Sequence, residues 1–297
     1  MRTDLHTHSS MSDGTDSPTV LILKARQTGL ERVALTDHDT LDGVAEAQEA
    51  GRRVGVDVLV GMEMSAHLGD SEVHVLGYGM DPTDSGLGAE LARIRASRVE
   101  RLAGMVKLLN QAGARISVAD VRARAVGASS IGRPHVADAL VQAGYAIDRD
   151  DAFAKYLDVS GPAFVPRYTT ELGEAIDLIH AAHGVAVLAH PWSRGGERVL
   201  TGEALAELVA HHGLEGIETD NPDHTPDQRD LLFQTGARLG LVRTGGSDYH
   251  GKGKTGHDLG SLTTRDSAYS ELLRLIETRG GDRGLDLGSH GPRGQRR

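Results

Sequence analysis

The 297-residue chain contains no cysteine, which excludes disulfides, thiolate nucleophiles and thiolate zinc sites together. Any metal must be held by imidazole and carboxylate, the ligands of hydrolytic rather than structural centres. Aromatic residues make up only 3%, so the core has to be built mainly from Ala, Val, Leu and Ile. No apolar run is long enough to span a bilayer. The N-terminus also lacks the basic-then-apolar pattern of a secretion signal, and a cytoplasmic protein is expected. No Gly-x-Gly-x-x-Gly or phosphate-loop pattern follows any strand, which argues against an open nucleotide-binding sheet. An excess of positive charge is missing too. At a formal net charge of −10, stable binding to duplex nucleic acid is not expected, because phosphate contacts dominate that affinity. The acid is unevenly spread. Residues 1–80 carry 13 acidic against 6 basic side chains and 169–280 carry 17 against 10, whereas 81–168 carry 10 against 12. Cationic help for a short anionic ligand is expected from that middle segment.

What is present is a repeated strand–helix alternation. "RTDLHTH" reads as a strand, followed by the helix "SPTVLILKARQTGL" with Ser17 as N-cap, Pro18 in the first turn and Gly29 as stop. "RVALTDHD", "VDVLVGMEMSA", "EVHVLGYGM", "VAVLAHP", "LEGIETDN" and "LVRTGGSDYH" read as further strands. Helical patterns separate most of them, one opening with a Thr225/Gln228 capping-box spacing. Such units predict a parallel α/β sheet closed into a barrel. Residues 81–165 differ, reading as a run of helices inserted into the barrel formed by 1–80 and 166–280. In "GLGAELARIRASRVERLAGMVKLLNQAG" an apolar stripe of Leu91, Ile94, Leu102, Met105 and Leu109 predicts a helix that exposes Arg93, Arg95, Arg98 and Arg101. The Gly/Arg-rich tail 281–297 is expected to be disordered.

Side chains i and i+2 of a strand face the same way, so His6 and His8 point together at the end of the first strand. His38, Glu63, His190, Asp248 and His250 end other strands, and His74 lies in "VHVLGYG". In βα barrels the C-terminal ends of the strands carry function, so these residues form a candidate ring of metal ligands. Glu63 follows an apolar strand, where an unpaired charge would cost several kcal/mol, and no nearby Lys or Arg offers itself as its partner. Asp37 and Asp39 flank His38, and one of them is expected to orient a ligand histidine. His67, His180, His183, His211, His212, His257 and His290 are assigned to the surface.

In order along the chain, "DLHTHS" with "SDG", "TDHDT", "GMEMS", "HVLGYG", "AHP" and "GSDYH" resemble the PHP (polymerase and histidinol phosphatase) superfamily. "GRPHVADAL" and "FAKYL…GPAFVPRY" resemble its branch acting on nucleoside 3′,5′-bisphosphates and RNA 5′ ends. The resemblance implies a distorted (β/α)7 barrel with a helical insertion and three divalent metal ions, manganese first among Mn, Zn, Fe and Mg. It places His6, His8, Glu63 and Asp248 on one ion, with Glu63 bridging to a second held by His74 and His190. Asp13, His38 and His250 would hold the third. Glu63 and Asp248 would position a metal-bridging hydroxide as nucleophile. Arg133 and His135 would contact substrate phosphate, with Lys155 and His224 as further candidates. The implied activity is hydrolysis of the 3′-phosphate of a nucleoside bisphosphate, or 5′-to-3′ trimming of 5′-phosphorylated RNA. A small-metabolite phosphatase of the histidinol-phosphatase type is the alternative enzyme. A carbon–nitrogen hydrolase fits less well, because Glu63 stands where those barrels use a carboxylated lysine. A non-catalytic PHP scaffold would be expected to have lost ligands, and all nine positions are filled.

Overall fold

The computed structural model describes residues 1–281; apart from Gly281, the tail expected from 281 onward, His290 included, lies outside the described residues. Eight strands form one sheet: β1 (Thr3–Thr7), β2 (Arg32–Leu35), β3 (Asp57–Leu68), β4 (Ser71–Tyr78), β5 (Thr170–Glu171), β6 (Val185–Leu188), β7 (Gly216–Asp220) and β8 (Val242–Gly245). The order is β1-β2-β3-β4-β6-β7-β8, with the two-residue β5 beside β3. A bridge between Thr7 and Tyr249 links the two ends, so seven strands make a nearly closed, distorted α/β barrel.

The sheet is not all parallel as expected. β3 and β4 pair antiparallel, and β4 is antiparallel to β6 as well. Only Gly69 and Asp70 separate the two strands, and a parallel return needs a crossover of about a dozen residues. Elsewhere the pairing is parallel and the local signals act as the sequence indicates. Ser17 accepts a hydrogen bond from the Val20 amide (3.2 Å) ahead of the helix Pro18–Gln27. Thr225 and Gln228 close a reciprocal capping box on the helix Pro226–Leu239.

Between β4 and β5 run the helices Ser85–Gln111, Val118–Arg124, Arg133–Gln142 and Arg149–Ala152, the last continuing into a π turn at Phe153–Leu157. The long helix Ser85–Gln111 ties two cores together. Its first half puts Leu87, Leu91 and Ile94 into the barrel cluster with Leu172 and Ile176. Its second half puts Leu102, Met105 and Leu109 into a separate cluster with Val136, Leu140 and Leu157. Each such side chain contributes about 1.5–3 kcal/mol by burial, which fixes the helical segment against one end of the barrel. Among the described residues no helix is long and apolar enough to cross a membrane.

Candidate active site

Glu63, buried on β3, is the hub of the site. Its Oε1 lies 2.8 Å from His74 Nδ1 and 2.9 Å from His190 Nε2. Its Oε2 lies 3.3 Å from His6 Nε2, 3.2 Å from His8 Nε2 and 3.1 Å from His38 Nδ1. Asp248 adds Oδ1 at 3.3 Å from His8 Nε2, and Asp13 faces His250 Nε2 at 3.3 Å and His38 Nε2 at 3.7 Å. All nine residues expected as ligands therefore converge on one end of the barrel. Potential ligand atoms cluster as His8–Asp13–His38–His250, His6–His8–Asp248, His6–Glu63–His190 and His38–Glu63–His74.

The local chain is shaped to allow this. His190 and Asp248 both take positive φ (24° and 50°), which turns their side chains inward just after the strands end. Gly246 lies against β1, where a Cβ would sit 2.4 Å from that of His6, so any side chain there would displace this histidine. β8 stops at Gly245, earlier than expected, and Asp248 and His250 come from the turn beyond it. Among the other histidines, His257 is buried rather than exposed, bonded through Nδ1 to the Ser247 carbonyl and through Nε2 to Asp223.

The buried atoms test whether metal fits. His6 Nε2, both ring nitrogens of His8, His38 Nδ1 and Glu63 Oε2 are buried without a hydrogen-bond partner among the described residues. Orphaned polar atoms cost about 1–3 kcal/mol each, so five in one cluster require compensation. Two ligands about 2.1 Å from one ion in octahedral or tetrahedral geometry lie about 3.0–3.4 Å apart, the range of the Glu63 Oε2 contacts above. The donor set suits divalent cations. The charges of the cluster act on one another. Burial opposes protonation of His8, but Asp248 and Glu63 raise it to about 9, and Glu63 and Glu72 raise His74 to about 9 in the same way. Burial drives His38 down to about 3, and Glu63 is held well below the usual carboxylate range by His38, His74 and His6 against the opposing effect of burial.

Supporting groups fix the candidate ligands. Glu218 on β7 bonds His6 Nδ1 (3.1 and 3.2 Å) and accepts from the His190 amide and Asn221 Nδ2, so His6 must present Nε2 to the centre. Lys254 Nζ donates to Asp248 Oδ2 at 2.6 Å and to Asp223 at 2.9 Å, leaving Asp248 Oδ1 toward the histidines. The role expected of Asp37 or Asp39 is taken by neither. Asp37 accepts from the Ser9 amide (2.8 Å) and from the Ser9 and Ser12 hydroxyls (2.6 Å each), bracing the loop that carries Asp13. Asp39 accepts from the Ser65 amide (2.7 Å) and from Arg98 Nε (2.8 Å).

Over this floor opens a cleft of about 320 Å³ whose opposite wall is supplied by the helical segment, with Arg98, Arg101, Arg133 and Arg149 among its lining. Here two expectations fail. Arg98 and Arg101 are each 7% exposed, not solvated, because they occupy the inward stripe of their helix between Ile94 and Met105. Arg98 pairs with Asp39, and Arg133 and Arg167 share Glu72. Arg101 has no acceptor among the described residues, and burial together with the charges of Arg167, Arg98 and Arg133 pushes its pKa down. The other substrate candidates are not brought to the cleft. His135 accepts the Gly132 amide (3.0 Å) as a helix cap and lines a different cavity. Lys155 is half exposed and bonded to Asp151 one turn away. His224 is buried with both nitrogens engaged, by the Thr219 carbonyl and the Trp192 amide.

A PHP-domain family model matches residues 4–116. A 3′,5′-nucleoside bisphosphate phosphatase of Chromobacterium violaceum is 34% identical over 276 residues, covering 93% of this chain and 96% of its own. The chain belongs to the PHP phosphoesterase family. A 5′-3′ exoribonuclease of Haemophilus influenzae is 34% identical over 83% of this PHP chain and 89% of its own. Among solved structures, a Bifidobacterium adolescentis protein assigned by inference as a metal-dependent phosphoesterase superposes with a TM-score of 0.88 at 38% identity, covering 92% and 96% of the two chains. This PHP protein is thus a metal-dependent phosphoesterase, a hydrolase acting on phosphate ester bonds. Sequence reasoning on the PHP centre missed Glu218, Lys254 and Asp4. The last of these accepts from the Ser247 amide and hydroxyl and the Gly260 amide, and burial raises it to about 6. Alternation alone carries a signal for it, since Asp4, His6 and His8 share one face.

Proposed function

We propose that the protein hydrolyses short phosphorylated nucleotides, either the 3′-phosphate of a nucleoside 3′,5′-bisphosphate or the 5′-terminal residue of a 5′-phosphorylated RNA. The observation that carries this reading is the cleft itself, a carboxylate–imidazole floor facing a wall of buried arginines. Three divalent ions, manganese foremost, fit the donor set: His6, His8, Glu63 and Asp248 for one, Glu63, His74 and His190 for a second, and Asp13, His38 and His250 for the third. When bound, such ions supply a water nucleophile of lowered pKa and positive charge for the phosphoryl oxygens.

The remaining work falls to the chain. Glu218 locks the His6 tautomer, and Lys254 restricts Asp248 to one oxygen. Arg101, whose charged form is disfavoured by burial and by its arginine neighbours and which has no acceptor among the described residues, is set to take a phosphate oxygen by planar, charge-assisted bonds. Arg133, already sharing Glu72 with Arg167, can turn one edge toward the same anion. The helical segment acts as a cationic cover that brings these groups over the floor and limits water. Of the two relatives named above, one is called a nucleoside bisphosphate phosphatase and the other an exoribonuclease, which supports nucleotides over metabolite phosphates.

The test is phosphate release by the manganese-loaded protein from adenosine 3′,5′-bisphosphate, beside nucleotide release from a 5′-phosphorylated RNA pentamer. Histidinol phosphate serves as the competing substrate. Preference for either nucleotide, lost in Glu63→Gln, is expected. Turnover of histidinol phosphate alone would discard the nucleotide and keep the metal centre.

A further inference from the structure

A second cavity, of about 290 Å³, adjoins the active cleft and shares Glu72, His74, Arg133, His190 and Arg194 with it. It lies on the His74–His190 side of Glu63 and has an apolar wall that includes Val73, Val159, Pro191 and Val199. Its cations are Arg133 and Arg194, and its anions are Asp70, Glu72 and Asp158, of which Glu72 is held by Arg133 and Arg167. Arg194 is unlike its neighbours in two independent ways. It makes no hydrogen bond or ion pair among the described residues, although Arg133 lies close enough to repel it. It also holds φ 52° and ψ 30°, left-handed for a non-glycine residue, followed by Gly195 at φ 84°. Of the five non-glycine residues with positive φ among the described residues, His190 and Asp248 also line the active cleft. Strain of about 1–3 kcal/mol kept at such a place points to a task for the side chain.

The chemistry says what the task is. In hydrolysis, the water oxygen bonds to phosphorus, the bond to the nucleoside 3′ oxygen breaks, and that oxygen takes a proton. If the substrate is a bisphosphate, the attacked phosphorus carries no further group. If it is RNA, the same phosphorus carries the next nucleoside, which needs room beyond the metal centre and leaves with a 5′-phosphate. The second cavity supplies that room, an apolar wall for one base and a free guanidinium for one backbone charge. We propose that it is the subsite for the nucleotide following the scissile phosphate, and that Arg194 holds that nucleotide's outgoing phosphodiester. This rests on the nucleotide reading above and makes oligoribonucleotides, beyond mononucleotides, the substrate class.

The experiment compares kcat/KM on adenosine 3′,5′-bisphosphate and on a 5′-phosphorylated RNA pentamer for the manganese-loaded full chain. Arg194→Gly is the variant of choice because glycine accepts the left-handed backbone while removing the charge. The pentamer is expected to lose about 10-fold in kcat/KM and the bisphosphate less than about 2-fold, with Arg194→Lys recovering part of the loss. The logarithm of the pentamer's KM should also depend less steeply on that of salt concentration, by about 0.7 for the one phosphate no longer neutralised. Equal losses on both substrates, or none on the pentamer, would overturn the subsite while leaving the nucleotide reading intact. Wild-type protein inactive on both would remove the two together.

Discussion

The barrel side of the cleft gathers three carboxylates among six histidines and leaves buried nitrogens and one oxygen without partners. The helical side gathers Arg98, Arg101, Arg133 and Arg149 and leaves Arg101 without an acceptor among the described residues. One wall is short of cations and the other of an anion. They do not satisfy each other directly: the contacts that cross between them, chiefly Arg98 to Asp39 and Arg133 to Glu72, use carboxylates outside the ligand set. The two walls are held apart with opposite needs, and a metal-loaded phosphate ester meets both. The difference teaches that an active site can be read from what its buried groups fail to find within the protein.

Breaking the barrel side should have the largest effect. Glu63→Gln keeps the shape but removes the charge facing five histidines, and a loss of at least about 10³-fold in kcat is expected, with metal content falling in elemental analysis. A next smaller effect comes from the brace on Asp248. Lys254→Met should weaken manganese binding about 10–100-fold by titration calorimetry, because Asp248 is then free to rotate. Tighter binding would show instead that Lys254 competes with metal for Asp248. On the helical side, Arg101→Ala should lower kcat/KM about 10-fold while leaving Tm unchanged or higher, since the variant removes a buried charge with no partner. A fall in Tm of several degrees would assign Arg101 to the fold instead.

The smallest effect sharpens the same contrast through pH. His8 and His74 of the metal-free protein lie near 9, above the ordinary histidine value of about 6.5. Their ion pairs with Glu63 and its neighbours stabilise the metal-free fold fully below about pH 6.5, and that contribution fades as pH rises through 9. Metal needs the neutral rings, so loading at pH 7 should release protons and strengthen toward pH 9. Metal-free Tm should fall between pH 7 and 9 while the apparent manganese affinity rises. Calorimetry in buffers of different ionisation enthalpy counts the protons.

The convergence of the nine candidate ligands was legible because most of them end a strand, and strand ends in a barrel share one face. Glu218 was not, although it occupies the matching place on β7, because it braces His6 and the His190 backbone rather than facing the centre itself. The arginines were misjudged for a physical reason. Leu91, Ile94, Met105 and Leu109 mark a stripe, and Arg98 and Arg101 fall on it at helical spacing, so their inward position was written in the period but masked by their charge. His135, which the resemblance puts on substrate phosphate beside Arg133, caps its own helix and lines a different cavity here, a local bond that the motif does not reveal. The reversed strand β4 was hidden by the strand–helix rhythm, although the Gly69-Asp70 link between two apolar runs is itself a hairpin signal.

That hairpin works as a ruler. Ser65 pairs with His74 and Glu63 with Leu76, each a set number of rungs from the turn at Gly69, which takes φ 58°. Because β4 runs backwards, His74 is measured from the beginning of the strand, and faces alternate with every residue. Lengthening both arms together at the tip would move only the turn. One residue added to a single arm, between tip and site, would rotate His74 out of the barrel and dismantle the centre without altering one of its nine side chains.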